Sequence, residues 1–265
     1  MPLPLPMNGA WCITGASRGI GRAIAYELAD RGIPLVLVGR DEAALNDAAR
    51  TAMRRGAPRA AVLTADLARS LEVERLADRI ALVEPELQGL VNNAGFSAFG
   101  DAVAHGEAEA AAQIDANARA ALVLTRRFLP GFKAAGRGYL LNVASVTAFQ
   151  AVPRWAVYAA TKTFLLHLSV ALHHEASEYG VHVTALCPGT TRTAFFDRAK
   201  VDLATARFAR WSTISTPEAA ARIGVRAVLR NRPIATVGLF NRFVLALQRI
   251  SPRPVVQAIS SWATS

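Results

Sequence analysis

Tyr158 and Lys162 stand four residues apart in a stretch that reads as helix over 155–180, a spacing that stacks a phenol and an ammonium on one helical face. A free phenol titrates near about 10 and is a poor acid–base partner at neutral pH. A neighbouring ammonium favours the phenolate and draws that value down, and a phenol tuned in this way serves as general acid or base on an alcohol/ketone pair. Ser145 ends a strand predicted over Tyr139–Ala144, which puts its hydroxyl across from the tyrosine, in position to hold a carbonyl oxygen. An isolated Tyr-x-x-x-Lys step is more often an exposed surface pair, so its meaning rests on what accompanies it.

What accompanies it is a glycine-rich turn. Trp11-Cys-Ile-Thr14 is a short apolar run that breaks into Gly15-Ala-Ser17-Arg18-Gly19-Ile20-Gly21, followed by a helical pattern through Ile24 and Leu28 to Gly32. Strand, glycine turn and helix together form the setting of a dinucleotide site: glycines admit a pyrophosphate to the backbone, and the helix N-terminus offers free N–H groups and the positive dipole end. A second strand, Pro34–Gly39, ends in Arg40 where NAD-binding folds usually carry an acid for the ribose hydroxyls. Arg40 and Arg18 place positive charge where an adenosine 2′-phosphate would lie, so the expectation is NADP(H) rather than NAD(H); the plainer reading of Arg40 is that it starts the next helix. Asp66 follows the third strand, to accept a hydrogen bond from adenine or to cap a helix. Asn92-Asn93-Ala94-Gly95 ends the fourth, where asparagine amides tie strand ends together.

The elements needed to position these groups alternate along the chain: helix 42–55, strand 60–64, helix 71–82, strand 87–91, strand 181–187 and strand 234–238. That rhythm predicts an α/β fold with a parallel sheet and helices on both faces. Residues 106–135 form a long alanine-rich helical stretch, expected to break near Pro130, and it contains Asn117. With no internal repeat and no low-complexity linker, the expectation is one domain over 1–265: a core at 8–190, a lid at 191–232 and a variable extension at 239–265. The apolar fraction of 52% suits strands buried on both faces. Cys12 and Cys187, the two cysteines, fall in separate strands and read as buried thiols. The five histidines have no metal-ligand spacing, so no metal is expected. Residues 1–8 lack the basic residue of a signal peptide, and no run reaches the roughly 18–20 apolar residues of a membrane span; the expected location is cytoplasmic.

Thr14-Gly15-x-x-x-Gly19-x-Gly21, Asp66, Asn92-Asn93-Ala94-Gly95, Asn117, Ser145, Tyr158-x-x-x-Lys162 and Pro188-Gly189 resemble, in order and spacing, the motif set of the short-chain dehydrogenase/reductase family, over about residues 8–240. The resemblance implies a Rossmann-type, doubly wound seven-stranded parallel sheet of order 3-2-1-4-5-6-7 and NAD(P)-dependent oxidoreduction. It implies that Tyr158 transfers the substrate proton, Lys162 lowers its pKa and bonds the nicotinamide ribose, Ser145 positions the carbonyl, and Asn117 holds a water in a proton relay. The cofactor set it implies is Gly15, Ser17, Arg18, Gly19, Ile20, Gly21, Arg40, Asp66, Leu67, Asn93, Ala94, Gly95, Tyr158, Lys162, Pro188, Gly189, Thr191 and Thr193, with Thr193 at the carboxamide. Similar proteins assemble as homodimers or homotetramers. The style of the sequence is similar to reductases of acyl-chain or other lipid-like ketones, including 3-oxoacyl groups on coenzyme A or a carrier protein. A steroid or xenobiotic ketone is the alternative, and a sensor or scaffold that binds NADP(H) without turnover is the reading from another class.

The remaining signal is in the last third. The chain carries +10, of which +9 falls in residues 190–265. This is either a solvated basic surface or one that attracts an anionic substrate, an acidic carrier or an acidic membrane; no nucleic-acid motif surrounds the arginines, and nucleic acid is not expected. In the lid, Phe195, Phe196, Phe208 and Trp211 alternate with Arg198, Lys200, Arg207 and Arg210, so aromatics line an apolar cleft or the segment is an ordinary amphipathic helix; Phe195 and Phe196 join Ser145 and Tyr158 as expected substrate contacts. Leu239, Phe240, Phe243, Leu247 and Ile250 mark an apolar helical face, and after Ser251-Pro-Arg-Pro254, residues Val255, Ile259 and Trp262 sketch a second helix. That extension packs on the lid or a second subunit, or makes peripheral membrane contact.

Overall fold

The fold is given by a computed structural model, which describes residues 9–193, 195 and 214–264. Seven strands, β1 (Trp11–Thr14), β2 (Leu35–Gly39), β3 (Ala60–Thr64), β4 (Gly89–Asn92), β5 (Gly138–Val143), β6 (Val181–Cys187) and β7 (Ile234–Thr236), pair in parallel in the order β3-β2-β1-β4-β5-β6-β7. The expected α/β class, strand order and single-domain organisation are all present. The central strands are near-continuous apolar runs because each side chain meets a helix, whichever face it points to. In β1, Trp11 and Ile13 join a core shared with α1 (Gly19–Ala29), α2 (Glu42–Arg54) and α7 (Pro217–Leu229), whereas Cys12 joins the opposite core under α3 (Ser70–Val83), α5 (Ala120–Ala134) and α6 (Ala156–Ser177). Gly89 is required in β4: a Cβ there would lie 2.1 Å from the Trp11 ring. Trp11 stacks on Tyr139 with ring centroids 5.1 Å apart, so rings from β1 and β5 meet over a strand that offers no side chain between them.

The long stretch 106–135 is interrupted, but not at Pro130. Pro130 lies inside α5, which runs on to Ala134. An interior proline costs about 3 kcal/mol, and the burial of Leu124, Phe128 and Phe132 on the same helix, at about 1.5–3 kcal/mol each, outweighs it. The interruption is a π-turn over Asp115–Arg119, between α4 (Glu107–Ile114) and α5, with Asn117 in it. Such turns add a residue to the helix and re-aim a side chain. Beyond β7, Gly238 (φ 90°) starts α8 (Leu239–Ile250), and α9 (Arg253–Thr264) follows.

Buried amides fasten the sheet at its centre. Asn92 Nδ2 donates to Asn142 Oδ1 at 2.8 Å, and Asn142 Nδ2 donates to Ser169 Oγ at 2.8 Å, linking β4, β5 and α6. Asn93 Nδ2 donates to the Thr14 carbonyl at 2.8 Å, while Thr14 Oγ1 accepts from the Asn93 and Ala94 amides. The strand-tying role expected of these asparagines holds for both.

Candidate active site

A cavity of about 1080 Å³ opens at the carboxyl ends of the strands, over the point where the strand order reverses between β1 and β4, the place for ligands in such sheets. At one end lies the turn after β1. Gly15 (φ 67°) and Gly19 (φ 57°) adopt the left-handed conformation. A Cβ on Gly21 would come within 2.3 Å of both the Gly15 carbonyl and Asn93 Nδ2, so glycine is what allows the turn to fold back on itself. No side chain caps the N-terminus of α1, leaving its N–H groups for a ligand phosphate. Thr193 comes down over this turn, its Cγ2 3.2 Å from where a Gly19 Cβ would be. An uncapped helix start, a backbone cradle and no intruding side chain fit a pyrophosphate.

Arg18 and Arg40 both line the cavity past β2. Each is held only loosely by an acid, Arg18 to Asp41 at 3.8 Å and Arg40 to Asp66 at 4.0 Å, with the guanidinium side chains more than half exposed. Weak pairing at the surface leaves both cations available. Asp66 is not the cap of α3, whose N-cap is Arg69; its Oδ1 accepts from the Ala68 amide at 3.2 Å, its own amide donates to Glu72, and it lines the cavity.

At the other end, Ser145, Tyr158 and Lys162 come together, all buried. Ser145 follows β5 and accepts from the Thr147 amide at 3.1 Å, which fixes its rotamer at the start of a 3₁₀ turn, Val146–Phe149. Tyr158 and Lys162 share the cavity-facing side of α6, with Lys162 Nζ 5.7 Å from the phenol ring centroid. Nζ donates to the Val143 carbonyl at 2.8 Å. The electrostatics differ from the sequence expectation. Burial pushes the Tyr158 phenol up to about 12, against a hydrogen bond with Ser145 that lowers it. Burial likewise draws Lys162 down to about 8, opposed by Cys187. Cys187 is itself raised by burial to about 12, so at neutral pH it is a neutral thiol and burial decides the lysine. In the protein alone, desolvation of the phenol outweighs the Ser145 hydrogen bond.

Asn117 is adjacent but does not line the cavity. Its Oδ1 accepts from the Phe96 amide at 2.9 Å, and its Nδ2 donates to the Phe96 carbonyl at 2.8 Å and to Thr161 Oγ1 at 3.2 Å. The π-turn thus spends this amide on the loop after β4, and a Cβ on Gly95 would come within 2.7 Å of it. Of the residues singled out from the sequence, Gly15, Ser17, Arg18, Gly19, Ile20, Arg40, Asp66, Leu67, Asn93, Ala94, Gly95, Pro188, Gly189, Thr191, Thr193 and Phe195 line the cavity with the Ser-Tyr-Lys set; Gly21 packs beneath the turn. Phe195 lies with its ring centroid 5.3 Å from that of Tyr158. Phe196 and the rest of the lid aromatics lie outside the described residues.

Two contributions were not anticipated. Trp155 and Val152 form an apolar wall with Tyr158, backed by Phe99. The C-terminal helices complete the enclosure with Asn241, Val244, Leu245 and Gln248 from α8 and Ser260, Ala263 and Thr264 from α9. Gln248 Nε2 donates to Gln150 Oε1 at 2.6 Å, Ser260 Oγ to the Ala151 carbonyl at 3.0 Å, and Arg154 to the Thr264 carbonyl at 3.2 Å. The extension is therefore strapped to the loop between Ser145 and Tyr158. The signal was present in sequence as the polar spacing Asn241, Gln248 on the far side of the apolar stripe.

Residues 10–203 match the family model described as short chain dehydrogenase. The chain is 29% identical to a ketoacyl reductase, HetN, of Nostoc sp. over 92% of this chain and 85% of that protein. It is 33% identical to a very-long-chain 3-oxoacyl-CoA reductase of Anas platyrhynchos over 69% of this chain and 60% of that one. Among solved structures, a short-chain dehydrogenase from Sphingobium yanoikuyae in complex with NADPH superimposes with a TM-score of 0.81 at 29% identity, covering 91% of this chain and 94% of that one.

Proposed function

The chain belongs to the short chain dehydrogenase family and is an NAD(P)-dependent oxidoreductase of carbonyl and alcohol groups, and from that premise we propose that it is an NADP(H)-dependent reductase of ketones on acyl chains or similarly apolar skeletons. The observation that carries the reading is the convergence of Ser145, Tyr158 and Lys162 in the cavity that also holds the glycine turn. When bound, the nicotinamide supplies hydride to the carbonyl carbon. The residues do the rest: Ser145 holds the carbonyl oxygen, and the Tyr158 phenol, kept protonated well past neutral pH by burial, delivers the proton to that oxygen. The Lys162 ammonium stabilises the phenolate left behind and bonds the ribose. Asn117 positions the 95–96 loop. Arg18 and Arg40 favour a 2′-phosphate.

The apolar wall of Val152, Trp155 and Phe195, the acyl-chain substrates named for two relatives and the basic last third support an acyl substrate, carrier-linked through an anionic coenzyme. An intact Ser-Tyr-Lys set speaks against a protein that binds the dinucleotide without turnover. NADPH consumption against a panel of 3-oxoacyl thioesters, steroid ketones and small ketones tests the proposal. We expect turnover by the wild type and a loss of about 10³-fold or more in Tyr158→Phe, the scale of general acid catalysis with preserved binding. Tight NADPH binding with both proteins inert would favour the sensor.

A further inference from the structure

The two C-terminal helices turn a mixed face, with Asn241, Val244, Leu245 and Gln248 on α8 and Ser260, Ala263 and Thr264 on α9, toward the cavity, and an apolar face outward. On α8, Leu239, Phe243, Leu247 and Ile250 are 80%, 66%, 51% and 82% exposed, and on α9 Val255 and Ile259 are 49% and 61% exposed. At about 100° per residue, the four α8 side chains fall within roughly a quarter of the helix circumference, away from Asn241, Leu245 and Gln248, which face the cavity. Water is a poor environment for such a continuous stripe. Charge indicates what covers it. Residues 239–265 contain Arg242, Arg249 and Arg253 and no aspartate or glutamate; Arg242 and Arg253 are exposed and make no ion pair among the described residues. A contact between two copies of this helix pair would bring together two basic segments with no acid to offset them, whereas an anionic lipid surface neutralises the arginines while its acyl region takes the stripe. No described helix is long and apolar enough to cross a membrane, which suits a helix pair lying in the interface plane.

We propose that α8 and α9 dock the protein on anionic lipid bilayers, with the outward stripe in the acyl–headgroup boundary and the inward face forming the substrate wall. The docked face and the cavity are then two sides of one helix pair, so an apolar ketone dissolved in the bilayer reaches the cavity along the edge of that pair. The docking rests on the outward face alone; the route of the substrate rests also on the ketone-reductase reading.

The experiment is flotation of the full-length protein with phosphatidylglycerol/phosphatidylcholine vesicles and with pure phosphatidylcholine vesicles. It includes Phe243→Asp/Leu247→Asp and Arg242→Gln/Arg253→Gln double variants, and NADPH consumption with a water-soluble ketone is measured on the same samples. The expected result is flotation of the wild type with the anionic vesicles and much less with the zwitterionic ones. The arginine variant should lose affinity by about fivefold per arginine removed and the aspartate variant should stay in the dense fraction. Both should retain wild-type activity on the soluble ketone, since none of the four residues lines the cavity. Equal flotation with both lipids, or no flotation, overturns the proposal. So does a wild-type dimer that Phe243→Asp/Leu247→Asp dissociates without any vesicle binding, which would make the stripe a subunit interface. Absent activity in all samples with flotation intact would count against the reductase reading and leave the docking standing.

Discussion

At the scale of single residues, the site is governed by which charges are buried. Lys162 is drawn down to about 8 by desolvation, so its ammonium is fully present below that pH and lost above it. Tyr158, at about 12, stays protonated throughout the neutral range and its titration lies beyond the working window. For ketone reduction, kcat/KM, which reports the free enzyme, should therefore be flat from pH 6 to 7 and fall as pH rises through about 8, approaching about tenfold per unit. A profile that stays flat to pH 10 would show that Lys162 does not set the limb. Arg40 makes the second prediction: Arg40→Asp should raise the KM for NADPH by about tenfold or more, one exposed charge-assisted phosphate contact being of that order, and shift the preference toward NADH. An unchanged ratio of kcat/KM for the two cofactors would remove Arg40 from the phosphate. The residue types here were legible in sequence, because each motif is a spacing within one segment. The direction of the tyrosine's pKa was not, because it depends on how much water the assembled cavity excludes.

At the scale of elements, the candidate catalytic groups are aimed by connections that no local pattern announces. Asn142 bridges β4 to α6 through Asn92 and Ser169, and α6 carries Tyr158 and Lys162. Replacing Asn142 by the near-isosteric Leu removes both bridging bonds, while Asn92 keeps Thr125 Oγ1 and Ser169 keeps the Leu165 carbonyl, and should destabilise the protein by about 1–2 kcal/mol, read as a lower urea midpoint at unchanged m-value. A midpoint within experimental error of wild type would show the bridge to be dispensable. The strands and helices themselves were readable from apolar runs and glycine punctuation, and β2, β3 and β6 begin within a residue of their expected positions. The failure at Pro130 is instructive. A proline weighs on its own turn, whereas the helix is decided by the buried face of Leu124, Phe128 and Phe132, and the break goes to the π-turn at Asn117, where the side chain has a backbone to bind.

At the scale of the whole molecule, the doubly wound sheet and its strand order followed from the alternation of elements and the resemblance of their motifs. The roof over the cavity did not, since α8 and α9 fold back by contacts between residues about a hundred positions apart. Those contacts have a particular character. Ser260 reaches the main-chain oxygen of Ala151, Gln248 lies 3.4 Å from that of Phe149, and Arg154 takes that of Thr264. A carbonyl oxygen survives any substitution of the side chain beside it. Two of the fastenings, to the Ala151 and Phe149 carbonyls, are therefore features that mutation of the loop cannot erase, whereas Gln150 and Arg154 hold the roof through their own side chains; loops that keep those two could exchange their other side chains beneath it, altering which skeletons fit while the attachment persists.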